Sequence, residues 1–310
     1  MEYRRYGSTE LRVSQIAFGG ATFGREIDGP TAWRLMDRAL ERGINLIDTA
    51  EAYSNRESER IIGRWLAERK NRQEIVLATK CYGKLDAGII TEKIDQSLQC
   101  LQTDWIDLFQ IHHFPHDGDP LDEILESLDR AVQAGKVRHL GLSNCGAWQF
   151  CKALWRQDRS GWARFESMQP SYSLVERTIE AEMIPLCKDQ DVAIISYAPI
   201  ASGFLAGKYS KEGPIPSGTR FDVAPGHQDV FFSNRNFACV DRIKAIAAEA
   251  GRSLVDLALA WAIFQPDITC VLIGGRKISH VDQAFETLER GLDPELRERL
   301  DQASQPDTFG

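Results

Sequence analysis

Residues 43–80 read GINLIDTAEAYSNRESERIIGRWLAERKNRQEIVLATK. Two apolar runs, GINLI and EIVLAT, each end in one charged residue, Asp48 and Lys80. Between them RESERIIGRWLAERK (56–70) has helical patterning. The run WIDLFQI (105–111) delivers His112 after the same interval of 32 residues, and VRHLGL (137–142) then delivers Ser143 and Asn144. A strand, a helix and two loops need about 30 residues, so the period reads as successive βα units. In a closed parallel barrel all strands end on one rim, and residues a third of the chain apart meet in one pocket. Tyr53 lies five residues past Asp48, on the loop above that rim.

The remaining chain fits the same plan. Residues 2–4 and 11–13 flank YGSTE and read as a hairpin closing the barrel floor. Further strands are expected at 15–20, 165–169, 192–197 and 270–275. Helices are expected at 31–43, 91–102, 121–135, 147–157, 178–189, 236–250, 253–264 and 279–289, with a C-terminal helix at 294–303. The expected fold is α/β, a single (β/α)8 TIM barrel over residues 1–310 with an N-terminal β-hairpin and a C-terminal helix. The stretch from 198 to about 233 is too long for a routine connection and reads as a functional loop or lid.

Bulk properties narrow the function. A formal net charge of −8 argues against a nucleic-acid partner. No apolar run approaches a membrane span, and MEYRRYGSTELRVS lacks the apolar core of a signal peptide, so a cytoplasmic protein is expected. Seven scattered cysteines without a CxxC pair fit a reducing compartment and no metal site. Oligomeric state is left open.

Asp48, Tyr53, Lys80 and His112 make chemical sense together. Reducing a carbonyl needs a hydride donor and a proton donor aimed at the developing oxyanion. No side chain donates hydride, so a nicotinamide or similar cofactor is implied. A tyrosine could supply the proton if a nearby lysine lowers its pKa. Asp48 could hold Lys80, and His112 could orient the carbonyl. Each residue alone has a duller explanation: a helix cap, loop packing, a solvated cation. Their placement on consecutive strand ends is what singles them out.

These segments resemble the aldo-keto reductase family. GINLIDTAEAYSNRESERIIGRWL (43–66) is similar to its signature, IVLATKCY (75–82) to its lysine strand and DWIDLFQIHHFP (104–115) to its histidine strand. KVRHLGLSNC (136–145), ESMQPSYSLVER (166–177), SYAPIASGFLAGKY (196–209) and VLIGGRKIS (271–279) follow in order, and residues 1–24 fit as well. The resemblance implies an NADP(H)-dependent oxidoreductase acting on an aldehyde or ketone. It implies Tyr53 as proton donor, with Asp48, Lys80 and His112 completing a tetrad. Ser143, Asn144 and Gln169 would hold the nicotinamide carboxamide, and Tyr197 would stack on its ring. Ser202, Gly203, Leu205, Gly207 and Lys208 would cover the pyrophosphate, and Gly274, Gly275 and Arg276 would lie at the adenosine end. Gly20, Ala21, His280 and Gln283 complete the expected contacts. Gln283 and Ala284 depart from the family's Glu-Asn pair. Strand alternation sets His113 on the face opposite His112, as a pocket-wall residue or one in the layer behind.

A barrel metallohydrolase would draw on His112, His113, His116, Asp117 and Asp119, but the first barrel strand supplies no ligand. GFLAGKY (203–209) fails as a P-loop on spacing, and no GxGxxG follows the first strand. A regulatory, cofactor-sensing subunit of the same fold is the remaining alternative. Rim loops mixing Phe23, Tyr82, Phe114, Phe221, Phe231 and Phe232 with Arg25, Lys84, Arg220 and His227 suit a sugar or another polyhydroxy carbonyl compound.

Overall fold

A computed structural model of the chain describes residues 1–305, His227 by its backbone alone; the last five residues of the expected domain lie outside it. β1 (Tyr3–Arg5) and β2 (Arg12–Ser14) form the antiparallel hairpin. The chain then runs β3 (Ile16–Gly19), α1 (Gly29–Glu41), β4 (Leu46–Asp48), α2 (Glu57–Arg69), β5 (Val76–Cys81), α3 (Ala87–Leu101), β6 (Ile106–Ile111), α4 (Leu121–Gln133), β7 (Val137–Ser143) and α5 (Ala147–Ser160). It continues β8 (Phe165–Gln169), α6 (Met183–Asp189), β9 (Ala193–Ser196), α7 (Arg220–Val223), α8 (Gln228–Phe231), α9 (Asn234–Ala250), α10 (Leu254–Ile263), β10 (Cys270–Ile273), α11 (Ile278–Arg290) and α12 (Pro294–Ser304). Strands β3 to β10 pair in parallel and in order, and β10 closes onto β3. This is the (β/α)8 TIM barrel with its hairpin and C-terminal helix.

Two helices differ from the sequence reading for local reasons. α3 begins at Ala87 rather than 91 because the Asp86 carboxylate accepts the amide of Ile89 and caps an earlier turn. The helix expected over 178–189 is broken into a 3-10 turn, Thr178–Glu180, and α6. Pro185 is tolerated only in the first turn of a helix, and it stands third in α6.

Two apolar layers hold the fold. Inside the barrel Ala17, Leu46, Val76, Ala78, Leu108, Ala193, Ile195, Cys270 and Leu272 fill the lower part, and Tyr6 and Val13 plug the floor from the hairpin. Outward residues of the strands meet the apolar faces of the helices, as Phe18, Ile47, Leu77, Phe109 and Leu140 do. Side chains standing inward thus become polar toward the C-terminal rim.

The long connection after β9 is folded back and anchored. Phe204, Tyr209, Phe221, Phe231, Phe232 and Phe237 pack ring on ring, with neighbouring centroids 5.0 to 6.4 Å apart. The Arg220 guanidinium bridges to Glu26 at 3.0 Å, and Arg276 donates to the Gly218 carbonyl at 3.0 Å. Three of the six aromatics that the sequence places at the rim are core: Phe23, Phe221 and Phe231 are buried. Loop aromatics that pack cannot be told from loop aromatics that bind by composition alone.

Gly141, on the inner face of β7, leaves the space that Gln110 and Ser167 occupy. A Cβ there would stand 2.5 Å from Ser167 Oγ and 3.0 Å from Gln110 Cγ. Gly141→Ala should lose about 1–3 kcal/mol in urea denaturation. Adding Ser167→Ala, which removes the closest atom, should restore most of it. An unchanged midpoint in the single variant would show that the interior gives way more easily than these distances imply.

Candidate active site

Alternation along each strand decides which side chains enter the barrel. On β4 Leu46 points in and Ile47 out, so Asp48 points in. On β5 Val76 and Ala78 are inside and Leu77 and Cys81 outside, which puts Lys80 inside. β6 sends Leu108 inward with Gln110 above it, and His112 follows on the same parity just beyond the strand. Gln169 on β8 comes in by the same count and meets Asp48 and Gln110.

The centre is an ion pair closed to water. Lys80 is fully buried, and its ammonium donates to Asp48 Oδ1 at 2.5 Å and to the Thr49 carbonyl at 2.8 Å. The other Asp48 oxygen accepts Gln169 Nε2 at 2.9 Å and Gln110 Nε2 at 3.3 Å. Gln169 Nε2 also reaches Gln110 Oε1 at 3.3 Å. Both carboxylate oxygens are thus occupied, as a buried charge requires. Gln110 escaped the sequence reading. The signal was there: it stands two residues before His112, on the same face of the same strand.

Tyr53 lies on the loop after β4, with Lys80 Nζ 5.2 Å from its ring centroid. His112 approaches edge-on, centroids 5.8 Å apart. Burial pushes the Tyr53 hydroxyl above its ordinary pKa, and the nearby Lys80 offsets this only in part. The sequence reading had the lysine lowering that pKa, but desolvation outweighs it. Burial also pulls Lys80 down, yet Asp48 and Tyr53 more than reverse this and leave the ammonium favoured. His112 is lowered to about 3 by burial first, then by Lys80 and His113. Its Nδ1 is buried without a partner. The imidazole is therefore neutral at ordinary pH.

His113 does not stand opposite His112. The strand ends at Ile111, so alternation no longer holds, and the two rings stack with centroids 5.2 Å apart and planes 19° off parallel. Tyr82 packs edge-on against both, at 5.9 Å from His112 and 5.6 Å from His113. Beside them opens a cavity of about 180 Å³ lined by Cys81, Tyr82, Leu85, His113, Phe114 and His116. Here His113 does form a pocket wall.

On β7 and beyond, Ser143 Oγ donates to the Gln169 carbonyl at 2.7 Å and receives Asn144 Nδ2 at 2.9 Å. Asn144, held at φ 51°, also donates to the His112 carbonyl at 3.0 Å and accepts the Tyr197 hydroxyl at 2.7 Å. Ser143, Asn144 and Tyr197 are thus chained to Gln169, which alone of the four bonds to the central pair.

The loop group gathers beyond the ends of β9 and β10. Ser202 (φ 57°), Gly203 (φ 89°) and Gly207 (φ 71°) take left-handed conformations. Lys208 Nζ lies 3.6 Å from where a Cβ on Gly203 would be. Leu205 is buried, so it offers only backbone to a ligand. Arg276 donates its amide to His280 Nδ1 at 3.2 Å. Arg276, Lys277 and Lys208 all act on His280, which burial foremost and these cations next hold below the usual histidine pKa. An added Cβ on Gly275 would meet His280 Cβ at 2.9 Å, while Gly274 is exposed. Gln283 is half-buried on α11, and Ala284 faces the core. Gly20 is committed to structure: its amide donates to Asp48 O at 2.8 Å and its carbonyl accepts Ser58 Oγ at 2.9 Å. Ala21 is half-buried beside it. Among the described residues no group of three His, Cys, Asp or Glu could hold a metal ion, and no helix is long and apolar enough to cross a membrane.

The model of the Aldo/keto reductase family matches residues 15–305. The chain belongs to this family. The oxidoreductase YrpG of Bacillus subtilis is 34% identical over 97% of this chain and 95% of its own. Versiconal hemiacetal acetate reductase of Aspergillus parasiticus is 29% identical over 99% and 98%. A protein of Arabidopsis thaliana named a probable voltage-gated potassium channel subunit beta is 29% identical over 98% and 97%. This aldo/keto reductase is thus an oxidoreductase of a family whose reactions use nicotinamide cofactors on small carbonyl compounds and alcohols.

In this aldo/keto reductase His112 should not titrate between about pH 5 and pH 8. Imidazole chemical shifts in labelled protein, assigned by comparison with His112→Gln, measure this directly. A midpoint near 6.5, the ordinary histidine value, would show that water reaches the ring.

Proposed function

We propose that this aldo/keto reductase is an NADP(H)-dependent carbonyl reductase in which Tyr53 donates the proton. The carrying observation is the buried Asp48–Lys80 pair with the Tyr53 and His112 rings against it. The bound nicotinamide would supply or accept the hydride. Its fit rests on this chain's own groups: polar side chains of Ser143, Asn144 and Gln169 beside the centre, and the left-handed turn at Ser202–Gly203 with Lys208 over it. The amides of Gly203 and Leu205 are taken by the Ile200 carbonyl, so the Lys208 ammonium is the group that suits phosphate oxygens here.

His112, neutral and half-buried with its ring edge against Tyr53, would orient the substrate oxygen. Tyr53 would hold the proton ready for that oxygen, and Lys80 would stabilise the phenolate left behind. Asp48 fixes Lys80. A raised Tyr53 pKa keeps the hydroxyl protonated at neutral pH and so favours reduction over alcohol oxidation. Reduction should stay level until the pH climbs through the Tyr53 pKa, above the ordinary 10.0, and then fall. Oxidation needs the phenolate and should rise over that range.

Tyr53→Phe should lower carbonyl reduction on the order of 10²-fold or more while nicotinamide cofactor still binds. Near-normal turnover would remove Tyr53 from its role. For cofactor choice, the cations Lys208, Arg276 and Lys277 around His280 favour a 2′-phosphate. Hydrogen bonds to charged groups contribute roughly 1.5–3 kcal/mol each, so Arg276→Ala should weaken NADPH at least about tenfold and leave NADH nearly unchanged. Fluorescence titration with both cofactors tests this, and parallel losses would exclude selectivity through Arg276.

The cavity beside His112 is walled by Tyr82, His113, Phe114 and Leu85, which favours a flat, partly apolar carbonyl compound over a polyhydroxy one. A second reading, a cofactor-binding regulatory subunit, draws on the likeness to the potassium channel β subunit. Oxidation of NADPH on adding an aromatic aldehyde or a sugar separates both pairs of alternatives.

A further inference from the structure

The turn that carries Tyr53 is strained. Ser54 (φ 50°), Asn55 (φ 51°) and Arg56 (φ 65°) are three successive residues in the left-handed region, and none is glycine. Single residues visit that region, but a run of three side chains persists only where the surroundings impose it. Local bonds hold part of it: the amides of Tyr53, Arg56 and Glu57 donate to the carbonyls of Ala50, Glu51 and Ser54 at 2.9 to 3.1 Å, Ser54 Oγ donates to Phe23 O at 3.0 Å and Arg60 Nη1 to Asn55 O at 3.0 Å.

The Arg56 side chain adds ion pairs that are shielded from water. Nη2 donates to Glu51 Oε2 at 2.5 Å, and Nη1 donates to Glu59 Oε2 at 2.8 Å and to Ser97 Oγ at 3.0 Å. All three charged groups are shielded, with side-chain exposures of 13% for Arg56, 9% for Glu51 and 0% for Glu59. The two carboxylates extend the network to β5. Glu51 Oε1 accepts Lys93 Nζ at 2.5 Å and the Tyr82 amide at 2.6 Å, and Glu59 Oε1 accepts Thr79 Oγ1 at 2.7 Å. Thr79 immediately precedes Lys80, and Tyr82 follows two residues after it. Arg56 therefore ties the two ends of the Tyr53 turn to the strand residues on either side of Lys80.

We propose that Arg56 is a positioning residue, whose paired contacts with Glu51 and Glu59 hold Tyr53 against Lys80 and His112. This rests on Tyr53 being the proton donor. Arg56 touches no reacting atom. Its fork of donors is what allows one side chain to bind two carboxylates and a hydroxyl at fixed angles. A misplacement of about 1 Å at a reacting group can cost about 10²-fold in rate.

The test is a double-variant cycle with Arg56→Ala, Tyr53→Phe and both together, measuring kcat, KM and cofactor binding on the full-length chain. Arg56→Ala should lower kcat about ten- to a hundredfold, with the KM for carbonyl and the cofactor Kd within about twofold. In the Tyr53→Phe background the same change should have little further effect, because there is no proton donor left to position. Arg56→Lys, with a cation but no fork, should recover part of kcat. Multiplicative losses in the double variant, or full kcat in Arg56→Ala, would overturn the proposal. Full activity in Tyr53→Phe would overturn the Tyr53 assignment instead. Should buried Glu59 destabilise Arg56→Ala, pairing it with Glu59→Gln removes the stranded charge and keeps the same readouts.

Discussion

A lysine with no exposed surface sits inside this barrel, and much of the rim is arranged around that cost. An ammonium taken out of water is tolerable only beside a counter-charge with its remaining hydrogen bonds satisfied. Asp48 supplies the charge from the neighbouring strand, in a register that pairs Asp48 with Ala78 and so leaves Lys80 one inward step higher. The carboxylate must then be satisfied too, which recruits Gln169 from β8 and Gln110 from β6. One charge has thus ordered side chains from four strands. It also sets the local field: the same ammonium favours the Tyr53 phenolate and disfavours a protonated His112.

The fold and the central residues were legible because their causes are periodic. A polar residue ending an apolar run every 32 residues is what a barrel strand must show if its lower part is core and its upper end is a site. Asp48, Lys80 and His112 follow from that pattern and converge in the structure, where Gln169, implied by the family resemblance, joins them. What failed to show was set by packing between segments distant in sequence. Phe221 and Phe231 read as rim residues because they lie in a long polar connection, and only the ring cluster with Phe204 and Tyr209 makes them core. Strand alternation misdirects His113 because that residue lies two positions beyond the end of β6. Gln110 was missed because an amide within an apolar run reads as an interruption, although its parity matches that of His112.

The electrostatic balance could not be read from composition either. A lysine near a tyrosine lowers its pKa in water-exposed surroundings, and the expectation followed that rule. Burial of the whole group reverses the sign, because the phenolate loses more solvation than one already paired ammonium returns. The same desolvation acts on His112 with no carboxylate to counter it, leaving a neutral ring whose Nδ1 is buried without a partner. Desolvation thus raises the pKa of the phenol and lowers that of the imidazole beside it, so both stand uncharged at neutral pH.

Rigidity at the strand ends and strain in the loop above them are two sides of one arrangement. Asp48 and Lys80 are fixed by barrel geometry, but Tyr53 stands five residues beyond its strand, where a loop would ordinarily be free to move. A relaxed turn would hold the phenol over a range of positions. The left-handed run at Ser54–Arg56 removes that freedom, and it is sustained in part by ion pairs that are themselves shielded from water and so weakly screened by salt. The strongest contacts of the loop point away from the centre, toward α2, α3 and the flanks of Lys80. The precision of the site is thus built from behind, and the face turned to substrate is left clear for the tyrosine and histidine rings.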